Sequence, residues 1–141
     1  MKRIAALAAT ATVLAIPAAA QANTIDQEGF ISGDKSATVR LRVKVTSGEA
    51  KKIGGFRVKN VEANCGKKVI RIQLTALVPV KVESGGGFKV RLPDGDGGVL
   101  RISGNVKDSG QSTVGSLKTN DFKAGDMTCR VSKQRFTTAS N

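Results

Sequence analysis

The chain has 141 residues, with 23 Lys+Arg against 11 Asp+Glu, no His, no Trp, no Tyr, five Phe and two Cys. Those absences exclude much chemistry at once. There is no Ser/His or Cys/His nucleophile pair, no imidazole base and no His-ligated zinc. Nor is there a Tyr or Trp platform on which sugars or bases could stack.

The first segment reads as a signal peptide over residues 1–22. Met1-Lys2-Arg3 is a positive start, Ile4 to Ile16 is uncharged and apolar, and Pro17 breaks the run. Ala20-Gln21-Ala22 then offers the small residues at −3 and −1 that a signal peptidase accepts. A membrane anchor would need about 20 strongly apolar residues. This run is shorter, rich in alanine and interrupted by Thr10 and Thr12. No Cys follows it directly, and residues 136–141 offer no apolar tail, so no transmembrane anchor is expected after cleavage. Export to the envelope or the medium is the expectation, with residues 23–141 as a single domain. Losing Lys2 and Arg3 lowers the formal charge from +12 to +10. A mature chain of this size can hide roughly two-thirds of its unfolded surface.

From Glu28 onward apolar residues recur with period two, the mark of half-buried strands. Glu28–Gly33 is a weak first candidate. In Thr38–Thr46 Val39, Leu41, Val43 and Val45 alternate with Arg40, Arg42 and Lys44, and Ser47-Gly48 supplies a turn. Over Ile53–Ala63 the apolar phase slips from Phe56 and Val58 to Val61, Ala63 and Cys65, which predicts a bulge near Lys59-Asn60. Ile70, Ile72, Leu74 and Ala76 alternate with Arg71, Gln73 and Thr75; Pro79 then marks a bend or an edge. Ser84-Gly85-Gly86-Gly87 precedes the strand Phe88, Val90, Leu92, and Asp94-Gly95-Asp96-Gly97-Gly98 separates it from Leu100, Ile102, Gly104 and Val106. After Asp108-Ser109-Gly110 come two weaker candidates, Thr113–Lys118 and Gln134–Thr138. The short connections predict an all-β fold, an antiparallel meander of about eight or nine strands closed as a β-sandwich or flattened barrel. Cys65 and Cys129, in an oxidising compartment, are expected to form one disulfide.

The order Gly29-Phe30…Gly33, a basic alternating strand, Phe56, Cys65, Gly87-Phe88, Asp96-Gly97-Gly98, Ile102-Ser103-Gly104, Asp121-Phe122, Cys129 and Phe136 resembles a group of small secreted β-rich proteins of actinobacteria. The resemblance implies the architecture and export. It carries no activity and no functional residue.

Three motifs invite a chemical reading. Asp94 and Asp96 look like the opening of a calcium loop, but the twelfth residue from Asp94 is Asn105 and not the Glu of an EF-hand, so a turn is the better reading and no metal is expected. Ser32-Gly33-Asp34-Lys35 fits S-x-x-K, whose chemistry needs a helix; here a Gly-Asp turn sits between two strands. Carboxylate-based hydrolysis of a glycoside would need a sugar cleft built without Tyr or Trp. The chain is therefore expected to be no enzyme and to take no cofactor.

The basic strand faces carry more weight. Arg40, Arg42 and Lys44 share one face, and Arg71, Lys89, Arg91 and Arg101 project from others. If their strands are neighbours, they form a polyanion-binding patch, with Lys51, Lys52 and Lys118 expected to lie outside it. The alternative is a solvated face whose Lys and Arg guard strand edges against aggregation. The expected partner is an anionic envelope or extracellular polymer, without sequence-specific reading of nucleic acid, since no recognition motif is present. The competing function is an inhibitor or adhesin-like module that binds another extracellular protein through its loops. Intact-mass measurement of exported protein should give a chain starting at Asn23; a mass that retains residues 1–22 would refute the signal reading.

Overall fold

The computed structural model describes residues 22–141, so the expected signal peptide lies outside the described residues except for Ala22. The described chain is almost entirely strand: β1 (Ala22–Ile31), β2 (Asp34–Thr46), β3 (Glu49–Cys65), β4 (Lys68–Ala76), β5 (Val80–Lys81), β6 (Gly87–Pro93), β7 (Val99–Lys107), β8 (Ser112–Thr119), β9 (Phe122–Ala124), β10 (Met127–Cys129) and β11 (Gln134–Ser140). One 3-10 turn, Asp108–Gly110, lies between β7 and β8. The all-β class and the large antiparallel sheet are as expected.

Nine strands form that sheet, in the order β4-β3-β2-β1-β11-β8-β7-β6, with β5 pairing with β3; β9 and β10 form a separate hairpin. The simple meander needs one correction. Strands β1 to β4 run as one meander and β6 to β8 as another, but the C-terminal strand β11 lies between β1 and β8 and joins them. Strand order of this kind is set by which apolar faces find each other in space, and turn residues do not encode it. The sheet curls so that both halves share a core, a flattened barrel that stays open between β4 and β6.

Alternation places the side chains. Val39, Leu41, Val43 and Val45 of β2 are buried, while Arg40, Arg42 and Lys44 point out. The β2–β3 connection uses Ser47 (φ 53°) and Gly48 (φ 77°), the paired left-handed residues of a two-residue hairpin. The expected bulge is present, with the β3–β4 register shifting between Val58 and Val61 and Asn60 at φ 63°. A second shift, opposite Arg40 and Arg42, falls where Gly55 takes φ 59°. With a third shift, opposite Lys44 and Val45, these irregularities keep β3 inward-facing on both sides of each slip.

The core centres on Phe136 of β11. Its ring lies 5.5 Å from that of Phe56, centroid to centroid, at a tilt of 60°. It also covers Gly115, where an added Cβ would come 2.7 Å from Phe136 Cζ. Gly115 pairs directly with Gly104, which Phe88 covers in the same way. At one end Gly110 packs against Val45, Ile25 and Val43. Buried Gln27 donates from Nε2 to the Gly110 carbonyl at 2.6 Å and accepts from Thr138 Oγ1 at 2.7 Å. This tie satisfies a polar group that would otherwise be costly to bury.

Cys65 and Cys129 form the expected disulfide, with Cα atoms 4.1 Å apart, linking the end of β3 to β10. The neighbouring Asn64 and Arg130 exchange both backbone hydrogen bonds at 2.8 Å, so the covalent link reinforces an existing bridge. The chain between the cysteines spans a separation of 64 residues. Replacing both with Ser should reduce unfolding free energy by about 4 kcal/mol on the loop-entropy model. Urea titration of the two forms measures it, and an unchanged midpoint would show that the bridge contributes nothing.

Candidate polyanion-binding face

The basic residues singled out in the sequence fall into two electrostatic classes. On β2, Arg40 and Arg42 stand directly opposite Glu28 and Asp26 of β1. Their Nε atoms pair with those carboxylates at 2.9 and 3.0 Å. Lys44 lies opposite Thr24 on one side and Lys52 on the other. On β4, Arg71 donates from Nη1 to Asp34, Ser36 and the Asn60 carbonyl, and from Nη2 to Glu62 at 3.1 Å. This guanidinium clasps β2, β3 and β4 around the bulge, so its role is structural.

Lys89, Arg91 and Arg101 are different. Arg91 of β6 faces Arg101 of β7, and Arg101 faces Lys118 of β8. Cross-strand neighbours have Cβ atoms about 4.5–5.5 Å apart, and like charges placed so are destabilising. A second row runs alongside, Lys89 facing Ser103, Ser103 facing Ser116, and Ser116 facing Arg135 of β11. Lys133, just before β11, lines the same concavity, whose volume is about 370 Å³. Among the described residues none of these six cations forms an ion pair; the pairs involve Arg40, Arg42, Lys51, Arg71 and Arg130 instead.

The structure therefore divides the seven residues. Lys89, Arg91 and Arg101 come together, whereas Arg40, Arg42 and Lys44 sit on β2, separated from β7 by β1, β11 and β8. Lys118, expected outside any patch, is in the middle of this one. Lys133 and Arg135 were missed as well. Leu117 is buried, so alternation from it was enough to turn Lys118 outward; its neighbours depended on strand order.

The two loop motifs have local explanations. Asp94 Oδ1 accepts from the N–H groups of Asp96 at 2.7 Å and Gly98 at 3.0 Å, which makes it the organiser of its own turn. Asn120 braces that turn, donating to the Gly97 carbonyl at 3.0 Å. Ser32 and Gly33 form the tight β1–β2 turn, and Asp34 and Lys35 begin a strand, so the helix demanded by S-x-x-K is not formed there. Among the described residues no helix is long and apolar enough to cross a membrane.

Comparison with protein-family models, curated proteins and solved structures returns no match for this chain.

One carboxylate titration follows from the Arg71 clasp. The Ser36 hydroxyl, and after it the Arg71 guanidinium and the Ser36 N–H, hydrogen-bond the Asp34 carboxylate and hold its pKa below the ordinary 3.8. A lowered folded pKa contributes stability above the ordinary value, and that contribution is lost as pH falls through the lowered one. Asp34→Asn should therefore be less stable than the parent at pH 7 and should lose less on acidification below pH 3.8. Chemical denaturation at stepped pH tests this; parallel curves for the two proteins would refute the clasp.

Proposed function

We propose that this protein is an exported, non-enzymatic binding module that retains an anionic polymer on the outer face of β6, β7 and β8. One observation carries the reading: Arg91, Arg101 and Lys118 stand side by side across three strands without a carboxylate among them. A second such row, Lys44, Lys52 and Lys81, crosses β2, β3 and β5, but the rows beside it hold carboxylates at Asp26 and Glu49, whereas the row beside Arg91, Arg101 and Lys118 adds Lys89 and Arg135. A local rule broken without internal compensation marks a place where something outside the chain compensates.

The chemistry fits a repeating oxyanion. Adjacent strands lie about 4.8 Å apart and same-side residues about 6.5–7 Å apart along each strand, so two parallel rows present closely spaced positive charge. Ser103 and Ser116 place hydroxyls between the flanking cations, where they can donate to phosphate, sulfate or carboxylate oxygens. With no Tyr or Trp in the chain, attraction here is electrostatic and indifferent to base or sugar identity. Phosphate-bearing wall polymers, acidic polysaccharide and lipid headgroups share that chemistry. The disulfide and the signal-like N-terminus support an extracellular setting, and the resemblance to small secreted actinobacterial proteins points the same way.

The test is retention on immobilised polyphosphate at low salt. Arg91→Ser, Arg101→Ser and Lys118→Ser combined should weaken binding roughly a hundredfold, on about 1 kcal/mol per basic residue at a polyanionic surface. The same number of changes at Lys59, Lys67 and Lys68 should cost much less. Binding by the parent should also fall steeply as salt rises. Equal losses from the two triple variants would mean that net charge alone matters, and the site would have to be abandoned.

A further inference from the structure

The sheet has two free ends, β4 and β6, and they do not pair with each other. Strand β5 takes over from β4 as neighbour of β3, pairing at Lys52 and Ile53, so β4 and β5 form one interrupted edge. The interruption carries Leu77 and Val78, each 59% exposed. Beyond β5 the chain turns at once into β6, and the turn is pinned by Glu83 N–H on the Gly87 carbonyl at 2.8 Å. From that pinned point the two edges diverge, leaving an apolar slot of about 520 Å³ lined by Leu74, Leu92, Leu100 and Phe122. Inward residues along the two edges, Ile70, Ile72 and Leu74 on β4 and Val90 and Leu92 on β6, stay half-buried, whereas Val39, Leu41 and Val43 on the central strand β2 are at 1% or less.

The free edge of β6 has a defined chemistry. The Gly87 carbonyl points outward from the sheet to meet Glu83, and backbone groups alternate along a strand, so those of Lys89 and Arg91 face the same open side. Pro93 comes next in that phase, where its missing N–H costs no pairing. The side chains of Lys89 and Arg91 stand on the outer face beside this edge, unpaired. The sheet already shows what suits such an edge. In β1, Asp26 and Glu28 alternate with inward Ile25 and Gln27, and they pair with Arg42 and Arg40 of the next strand.

We propose that the slot receives an extended segment of a partner protein, added as a strand to the open edge of β6. Its apolar residues alternate inward to fill the gap, and its acidic residues lie outward against Lys89 and Arg91. A second copy of this chain is the wrong partner for that edge, because pairing two β6 strands would bring Lys89 and Arg91 against the same charges. The proposal concerns the edge and the apolar slot, and it stands apart from retention of a polymer by the face.

A seven-residue peptide alternating Val and Glu spans the open stretch Lys89–Pro93 of β6 with a residue over at each end and serves as the probe. Added to the whole mature protein, it should slow hydrogen exchange at the Lys89 and Arg91 amides at least tenfold. It should also bind at least tenfold more tightly than a peptide of the same composition with its Val and Glu in separate blocks, or than one N-methylated at alternate residues. The double variant Arg101→Ser, Lys118→Ser, with β6 intact, should lose polyphosphate but keep the peptide, which separates failure of this proposal from failure of the polymer reading. Equal binding of all three peptides would reduce the effect to charge attraction and overturn it. Unchanged exchange at Lys89 and Arg91 under saturating peptide would do the same, as would protection of those amides by self-association of the protein alone.

Discussion

The fold depends on where the last strand goes. Two meanders, β1 to β4 and β6 to β8, would each present an unfinished edge if left alone, and β11 pairs with β1 on one side and β8 on the other. Its Phe136 then reaches both halves, stacking near Phe56 from one and covering Gly115 of the other. Small residues at Gly104 and Gly115 are what allow two Phe rings to lie across the sheet at that point. A bulkier residue at either position would force the rings away and separate the two halves of the core.

Against this apolar frame the charges sort by neighbour. Pairing β1 with β2 sets acidic Asp26 and Glu28 against Arg42 and Arg40, so these two residues of the expected patch are internally neutralised. The arrangement of β6, β7 and β8 sets Arg against Arg and Lys, with Ser103 and Ser116 in the row beside them. The same alternation that builds a core thus matches Arg40 and Arg42 to carboxylates and leaves cations without one at Lys44, Lys52 and Lys81 and across β6, β7 and β8. Which is which is decided by strand neighbours and not by the count of Lys and Arg.

Much of the fold was legible because period-two patterning is local. Val39 to Val45, Phe88 to Leu92 and Leu100 to Val106 mark their strands directly, and the slip after Val58 marks the bulge at Asn60. Strand β3 begins at Glu49, before the predicted Ile53, because a register shift opposite Lys44 and Val45 breaks the apolar alternation between Ala50 and Ile53 while backbone pairing continues. Strands β5, β9 and β10 have two or three residues each, too few for any period to register. The site was only half legible for a different reason. Facing direction can be read within a strand, so Lys118 could be turned outward from Leu117, but adjacency between β7 and β8 or between β1 and β2 is a long-range property.

The position of the cysteines has a consequence for how the chain matures. Cys129 lies on β10 and Cys65 at the end of β3, a sequence separation of 64 residues. In the folded chain the Asn64–Arg130 bridge holds the two cysteines within bonding reach. With two cysteines in the whole chain, there is only one intramolecular pairing available and no incorrect one to undo. A compartment that supplies an oxidant is sufficient for this protein, and a disulfide isomerase has nothing in it to correct.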